Sequence, residues 1–255
     1  MLQIVVPMAG RGSRFTQAGY ALPKPLIDVG GRPMIDVVID NLRPRRPHRF
    51  VFVVQAEQIR EFDLDARLRE WAPGCDVVSL DDVTQGAACT VLTTRDLLDP
   101  DLPLMTANCD QWVDMDIDRY LDHFDGTGVD GFLMTMPADD PKWSYAELDE
   151  RGWVQRVVEK QVISLNATVG IYNWSRAGDF LHHADAMIAA DRRVNGEFYV
   201  APVYTEQIAV GAHIEVLDVD ADQQAMWGLG TPEDLTAFLA GSARDRALNA
   251  RANVA

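Results

Sequence analysis

The sequence predicts an α/β protein, a sheet sandwiched between helices. Three observations predict it. Apolar runs of strand length alternate with helical patterns over nearly all of the 255 residues. The first run, at Leu2, Ile4, Val5 and Val6, has the length of a buried parallel strand. It breaks into Ala9-Gly10-Arg11-Gly12-Ser13-Arg14 before a helical pattern opens at Pro33-Met34-Ile35. A strand ending in glycines exposes backbone amides without Cβ atoms, so phosphate can approach closely.

The elements follow in order. Pro33 to Leu42 places Met34, Val37, Val38, Ile39 and Leu42 at helical spacing, and the basic run Arg43 to Pro47 reads as a solvated turn that stops the helix. His48 to Gln55 is expected as a second buried strand, Glu57 to Trp71 as one charged amphipathic helix, and Cys75 to Leu80 as a third strand. At Thr84-Gln85-Gly86-Ala87-Ala88 a polar residue, a glycine and small residues open a helix. That composition permits either a flat ligand or close helix–sheet packing. Leu102 to Gln111 is a strand ending in the carboxylate of Asp110. An Asp at the carboxyl end of a parallel strand faces the crevice where ligands bind. It also suits Mg2+, which takes carboxylate, water and phosphate oxygens.

Asp116 or Asp118 is expected to cap a helix running through Phe124. Val129 to Met136 reads as a strand, Tyr145 to Lys160 as two strands around Glu150-Arg151-Gly152, and Asn166 to Tyr172 as a strand containing Gly170. Arg176 to Arg193 is an amphipathic helix with His182 and His183 at its surface or in its packing. Asn195 to Pro202 leads into a helix through Ile208, and His213 to Val219 is a strand. Thr231-Pro232 is a capped helix start. One domain is expected over residues 1–243, with 244–255 as a polar, fraying tail.

A formal net charge of −16 argues against a nucleic-acid partner, which needs a basic face, but not against a mononucleotide. Cys75, Cys89 and Cys109 have no metal-ligand spacing and read as reduced, packed thiols. Neither a signal-peptide pattern nor a run of roughly eighteen apolar residues is present, so a soluble, cytoplasmic protein with no membrane partner is expected.

Two cations follow the glycines: Arg14, and Lys24 between Pro23 and Pro25, expected in a stiff extended segment. No Gly-Lys-Ser/Thr follows the glycines, and Arg14 and Phe15 stand where a dinucleotide fingerprint has its third glycine. The combination of Gly10-x-Gly12-Ser13-Arg14 with Lys24-Pro25-Leu26 resembles the signature of the nucleotidylyltransferases that make nucleotide-activated sugars, the NDP-sugar pyrophosphorylase family.

The resemblance covers roughly residues 2 to 240. It implies a Rossmann-like, GT-A type fold, α/β with a mixed, mostly parallel sheet flanked by helices. A nucleotide-binding part would span about 1–128 and an acceptor-binding part about 129–220. It further implies that Ala9, Gly10, Gly12 and Ser13 wrap the triphosphate, Gln85 meets the base and Gly86 makes room for it. Asp110, in Asn108-Cys109-Asp110-Gln111, would be the Mg2+ ligand. Glu159-Lys160 followed by Asn166, Gly170 and Tyr172 resembles the family's acceptor half, with Lys160 on the acceptor phosphate and Glu159 and Asn166 on its organic part. Gly170 belongs to the same segment. Glu197 and Tyr199 are either further acceptor contacts or a plain helix start. One departure stands out: the family pattern has an Asp two residues before Gly230 as a second metal ligand, and this chain has Gly228. Asp218, Asp220 and Asp222 are the carboxylates near it in sequence.

The implied reaction is transfer of NMP from an NTP (CTP, UTP or dTTP) to a phosphorylated acceptor, by default a sugar 1-phosphate, with release of pyrophosphate. Arg14 would stabilise the departing pyrophosphate and Lys24 the α-phosphate region. The compact length, the Pro7-Met8-Ala9-Gly10 opening and Gly228 resemble smaller branches linked to capsule or phosphonate pathways, some of them cytidylyltransferases acting on non-sugar phosphates. Two readings of other classes stand beside this one. One is a GT-A glycosyltransferase using Asp114-x-Asp116 for its metal; the other is a non-catalytic nucleotide-binding subunit. A homo-oligomer stays open.

Overall fold

A computed structural model describes residues 1–219 and 225–249 of the chain. Strand β1 (Leu2–Pro7) lies between β2 (His48–Gln55) and β4 (Leu104–Ala107), both parallel to it, with Ile4 opposite Phe50 and Met105. Beyond β2 comes β3 (Asp76–Leu80), also parallel. Beyond β4 come β9 (Asn166–Trp174), β6 (Gly131–Pro137) and β10 (Ile214–Asp218), giving the order β10-β6-β9-β4-β1-β2-β3. Along that path β9 alone runs against its neighbours. The sheet is therefore mixed and mostly parallel, as expected. A hairpin of β7 (Ser144–Leu148) and β8 (Val154–Glu159) joins β9 through Tyr145 opposite Ala167.

The pleat of β1 explains its unbroken apolar run. Successive side chains point to opposite faces, and here both faces are covered. Ile4 and Val6 pack with Ile35, Val38 and Ile39 of α2 (Met34–Leu42). Val5 faces the other way, toward Ala88 and Val91 of α5 (Ala87–Leu92) and Phe180 of α7 (Ala177–Ala189). The chain winds outward from β1 to β3 and returns to β4 on the other side of β1. That reversal leaves a crevice at the carboxyl ends of β1 and β4, where open α/β sheets bind ligands. There β5 (Gln111–Val113) leaves β4 and pairs antiparallel with β11 (Met226–Gly228), Gly228 opposite Gln111.

Several local expectations are corrected. Residues 57–71 form two helices, α3 (Ala56–Phe62) and α4 (Leu64–Trp71), broken at Asp63, whose φ is 55°. Asp tolerates the left-handed conformation, and the break turns Leu64 and Leu68 into the core. Ser13–Gln17 is a short helix, α1, so Arg14 stands on a helical turn and not in a loop. Lys24 opens a 3-10 turn, Lys24–Leu26, and only Pro23 before it is extended. Pro25 fits inside that turn because its missing N–H falls at the start, where no donor is needed.

Asp116, of the two candidates, caps α6 (Ile117–Thr127) by accepting the Asp118 N–H at 3.0 Å. The expected polar tail is a helix over its first part, α10 (Ala243–Asn249), with Ala243 and Ala247 buried among Phe15, Val29 and Phe238. The rest of that tail, and Asp220 and Asp222, lie outside the described residues. All three cysteines are free thiols, Cys75 and Cys109 buried. Among the described residues no helix is long and apolar enough to cross a membrane.

Candidate functional site

A cavity of about 290 Å³ opens at the carboxyl ends of β1 and β4. Arg14, Asn108, Asp110 and Gln111 line its nucleotide side, and Trp143, Ser144, Glu159, Thr168, Tyr172 and Tyr199 its acceptor side. The two halves proposed from sequence therefore share one cavity.

On the first side Lys24 Nζ donates to Asp110 Oδ2 at 2.5 Å. Backbone geometry brings them together. Gly12 is left-handed (φ 60°), and a Cβ there would lie 3.0 Å from Lys24 Cβ, so glycine lets the Lys24 turn pack close to α1. Burial opposes the Lys24 charge, but Asp110 beside it, and Cys109 next, outweigh that and raise its pKa. Lys24 is an ammonium at neutral pH. Burial pushes the Cys109 thiol up to about 11, so it stays protonated and offers neither nucleophile nor metal ligand. Asp110 itself rests against Gly230, where any Cβ would collide with its Oδ2.

Gln85 and Gly86 border the cavity without lining it. The Phe198 N–H donates to Gln85 O at 2.9 Å, and Ala88 N–H to Phe198 O at 3.0 Å. With φ at 133°, Gly86 admits the Phe198 backbone where a Cβ would collide, so its close approach is to protein. The Gln85 side-chain oxygen accepts from Arg193 Nη2 at 2.6 Å, and Arg193 lies over the Phe198 ring at 4.1 Å. Ala9, Gly10, Gly12 and Ser13 likewise flank the cavity mouth and do not line it; Ala9 O accepts from Gln55 at 2.6 Å.

On the acceptor side Lys160 adopts φ 55°, places Nζ 2.5 Å from the Tyr199 hydroxyl and lies over that ring at 4.6 Å. Lys142 lies 4.9 Å over the Trp143 ring. Buried Glu159 accepts from Ser144 Oγ. Burial raises the Glu159 pKa, with Glu197 adding to it and the Ser144 hydrogen bond and Lys160 opposing. Thr168 and Tyr172 share a hydroxyl hydrogen bond of 2.9 Å. Gly170 lies between them on the same strand, and a Cβ there would collide with Asn108 and Gln111. Two expected residues are not brought to the cavity. The Asn166 amide donates to Ala146 O at 3.3 Å, and Glu197 is exposed, its backbone bridged to Val194.

Sequence reading missed Lys142, Trp143, Thr168, Gln111 and Asp234, all of which line the cavity. Thr168 had a signal, since it shares the strand face of Gly170 and Tyr172. The rival pair has other work: Asp114 bonds Arg246 at 2.6 Å, and Asp116 pairs Arg45 at 2.9 Å besides capping α6. Neither lines the cavity. Asp218 ends β10 and does not line it either.

The donor set suits a hard cation. Asp110 and Asp234 bring carboxylate oxygens to the cavity, and Gln111 brings a buried NH2 group with no hydrogen-bond partner among the described residues. Among those residues no group of three or more His, Cys, Asp or Glu could hold a metal unaided. Mg2+ here would complete its shell with water and substrate phosphate.

Fold and cavity together define an α/β protein with a phosphate-directed site at the switch point of its sheet. The chain belongs to the Nucleotidyl transferase family, whose model matches residues 4–195. It is 28% identical over 237 residues to the bifunctional protein GlmU of Paraburkholderia phymatum, covering 88% of this chain and 48% of GlmU. The chain thus spans about half the length of the curated relatives it matches. A nucleoside-diphosphate-sugar pyrophosphorylase from Vibrio cholerae is similar at 25% identity with a TM-score of 0.79, over 93% of this chain and 100% of that one. The inositol-1-phosphate CTP transferase of T. maritima shares the fold at 14% identity with a TM-score of 0.77, over 99% and 97% of the two chains.

Proposed function

We propose that the protein transfers NMP from an NTP to a small phosphorylated acceptor, releasing pyrophosphate. One observation carries the reading. Arg14 and the Lys24–Asp110 pair stand on one side of a single cavity, and Glu159, Tyr199 and Lys160 on the other. Two polyanions can be brought together there, which is the main difficulty of this reaction.

An acceptor phosphate oxygen attacks the α-phosphorus in line. The new P–O bond forms as the bond to the β-phosphate bridging oxygen breaks, and pyrophosphate leaves with that electron pair. A phosphate monoester is already anionic near neutral pH, so no general base is needed. In keeping with this, no histidine lines the cavity. Arg14 stabilises the departing pyrophosphate, Lys24 the α-phosphate and Lys160 the acceptor phosphate. Asp110 would hold Mg2+, whose contribution is to offset the charge of the facing phosphates. The floor of Ser144, Glu159, Thr168 and Tyr172 offers hydroxyl and carboxyl groups, and Trp143 an aromatic wall. That composition favours a polyhydroxylated acceptor such as a sugar 1-phosphate.

Pyrophosphate release tests the reading. ATP, GTP, CTP, UTP and dTTP are each supplied with Mg2+ and a pool of sugar phosphates, phosphocholine, phosphoamino acids and phosphonates. Acceptor-dependent release with one NTP is expected, and dividing the pool then identifies the acceptor. NTP binding with no release across the pool would favour a nucleotide-binding subunit; no NTP binding would overturn the reading.

A further inference from the structure

The first turn of α9 (Pro232–Ala240) carries a carboxylate with no internal role. Thr231 caps the helix, its Oγ1 accepting the Asp234 N–H at 3.1 Å. In a Thr-x-x-Asp start the acidic side chain can return to the N–H of the cap residue. Here the Asp234 carboxylate has no hydrogen-bond or ion-pair partner among the described residues and lines the cavity instead.

Its position relates to two glycines. Asp234 Oδ2 lies 3.6 Å from where a Cβ at residue 228 would stand, and Asp110 rests against the matching place at residue 230. Gly228 and Gly230 both line the cavity, while Leu229 between them is buried in the core behind. The carboxylates of Asp110 and Asp234 therefore stand along one wall, delivered by the end of β4 and the start of α9. Gln111, 3% exposed, supplies an independent pointer. Its NH2 group is buried on the same cavity without an acceptor, as expected of a donor meant for an oxygen ligand from outside the chain. Charge points the same way. Lys24 neutralises Asp110, so Asp234 leaves the group with one net negative charge that attracts a cation.

We propose that Asp234 is the second carboxylate of a divalent-cation site whose first is Asp110, taking the place that Gly228 leaves without a side chain. Gln111 donates to a water or phosphate oxygen in the cation's shell. The inference rests on the nucleotidyl-transfer reading for the identity of the cation as Mg2+, but its test needs no turnover.

Mn2+ binding is titrated by water-proton relaxation in the full chain and in Asp110→Asn, Asp234→Asn and Asp234→Asn/Gly228→Asp, with a melting temperature for each. Asp234→Asn is expected to weaken Mn2+ roughly tenfold or more. Its melting temperature should hold, because the Thr231 cap is untouched. Adding Gly228→Asp should recover most of the lost affinity, since the new side chain enters space now bordered at ordinary contact distance. Wild-type Mn2+ affinity in Asp234→Asn together with loss in Asp110→Asn would overturn the proposal and leave the proposed function standing. Unchanged binding in both single variants, or none by the wild type, would overturn it together with the Asp110 assignment. A double variant as weak as Asp234→Asn would trace the loss to the helix start, and would overturn it too.

Discussion

Lys24 and Lys160 serve the two halves of one cavity and are held in opposite ways. Lys24 is half-buried, set in a 3-10 turn and paired with a carboxylate at 2.5 Å. Lys160 is exposed, left-handed, and rests on the hydroxyl and ring of Tyr199. A carboxylate fixes a lysine by neutralising it, whereas a ring leaves the full charge available. The nucleotide half is thus preorganised, its cation and its carboxylate holding each other in place. The acceptor half presents unneutralised lysines, Lys142 and Lys160, to an incoming anion. Preorganised charge acts chiefly on the transition state, and adaptable charge chiefly on binding.

Breaking the pair in the nucleotide half should have the largest effect. Lys24→Ala removes a cation at the α-phosphate and leaves Asp110 without its partner, so kcat should fall about 10²- to 10³-fold. Steady-state pyrophosphate release measures it, and a near-normal rate would remove Lys24 from the mechanism. Lys160→Ala should come next. Loss of most turnover at low acceptor is expected, carried mainly by a higher acceptor KM with the NTP KM little changed. A fall confined to kcat would erase the contrast between the two halves.

The same contrast explains what the sequence could reveal. The preorganised half rests on short-range features: a strand that ends in glycines, a lysine between prolines, and an Asp closing an apolar run. Each is contiguous, so β1, β4, Arg14, Lys24 and Asp110 were legible. Lys160 and Glu159 were legible as a hairpin end. Residues that reach the cavity through tertiary packing were not. Asp234 reads as an ordinary helix start, and only the turn of its carboxylate toward Gly228 separates it from one. Arg193 meets Gln85 across 108 positions of chain. Asn166 looked like a site residue by spacing, yet the hairpin backbone at Ala146 takes its amide. The break at Asp63 was hidden because charged residues on both sides fit one helical pattern as well as two.

Glu159 sharpens the comparison through pH. Its burial raises the folded-state pKa above the ordinary 4.5. A group raised on folding gives stability that is present below the unfolded value and is lost as pH rises through the folded one. Melting temperature should therefore fall as pH is raised upward from about 4.5, and Glu159→Gln should flatten that slope while weakening the acceptor. An unchanged slope in the variant would place the carboxylate in a better-solvated setting than its 8% exposure implies.

The smallest effect should come from Tyr199→Phe, which separates the two contacts that hold Lys160. The ring persists and the hydroxyl, 2.5 Å from Nζ, is lost. A ring contact at an exposed site is worth about 0.5–1 kcal/mol, so if the ring does most of the positioning, acceptor KM should rise only about two- to fivefold. A loss near that of Lys160→Ala would mean that the hydroxyl holds the lysine as firmly as Asp110 holds Lys24. The acceptor half would then be as rigidly prepared as the nucleotide half, and the distinction between them would fail.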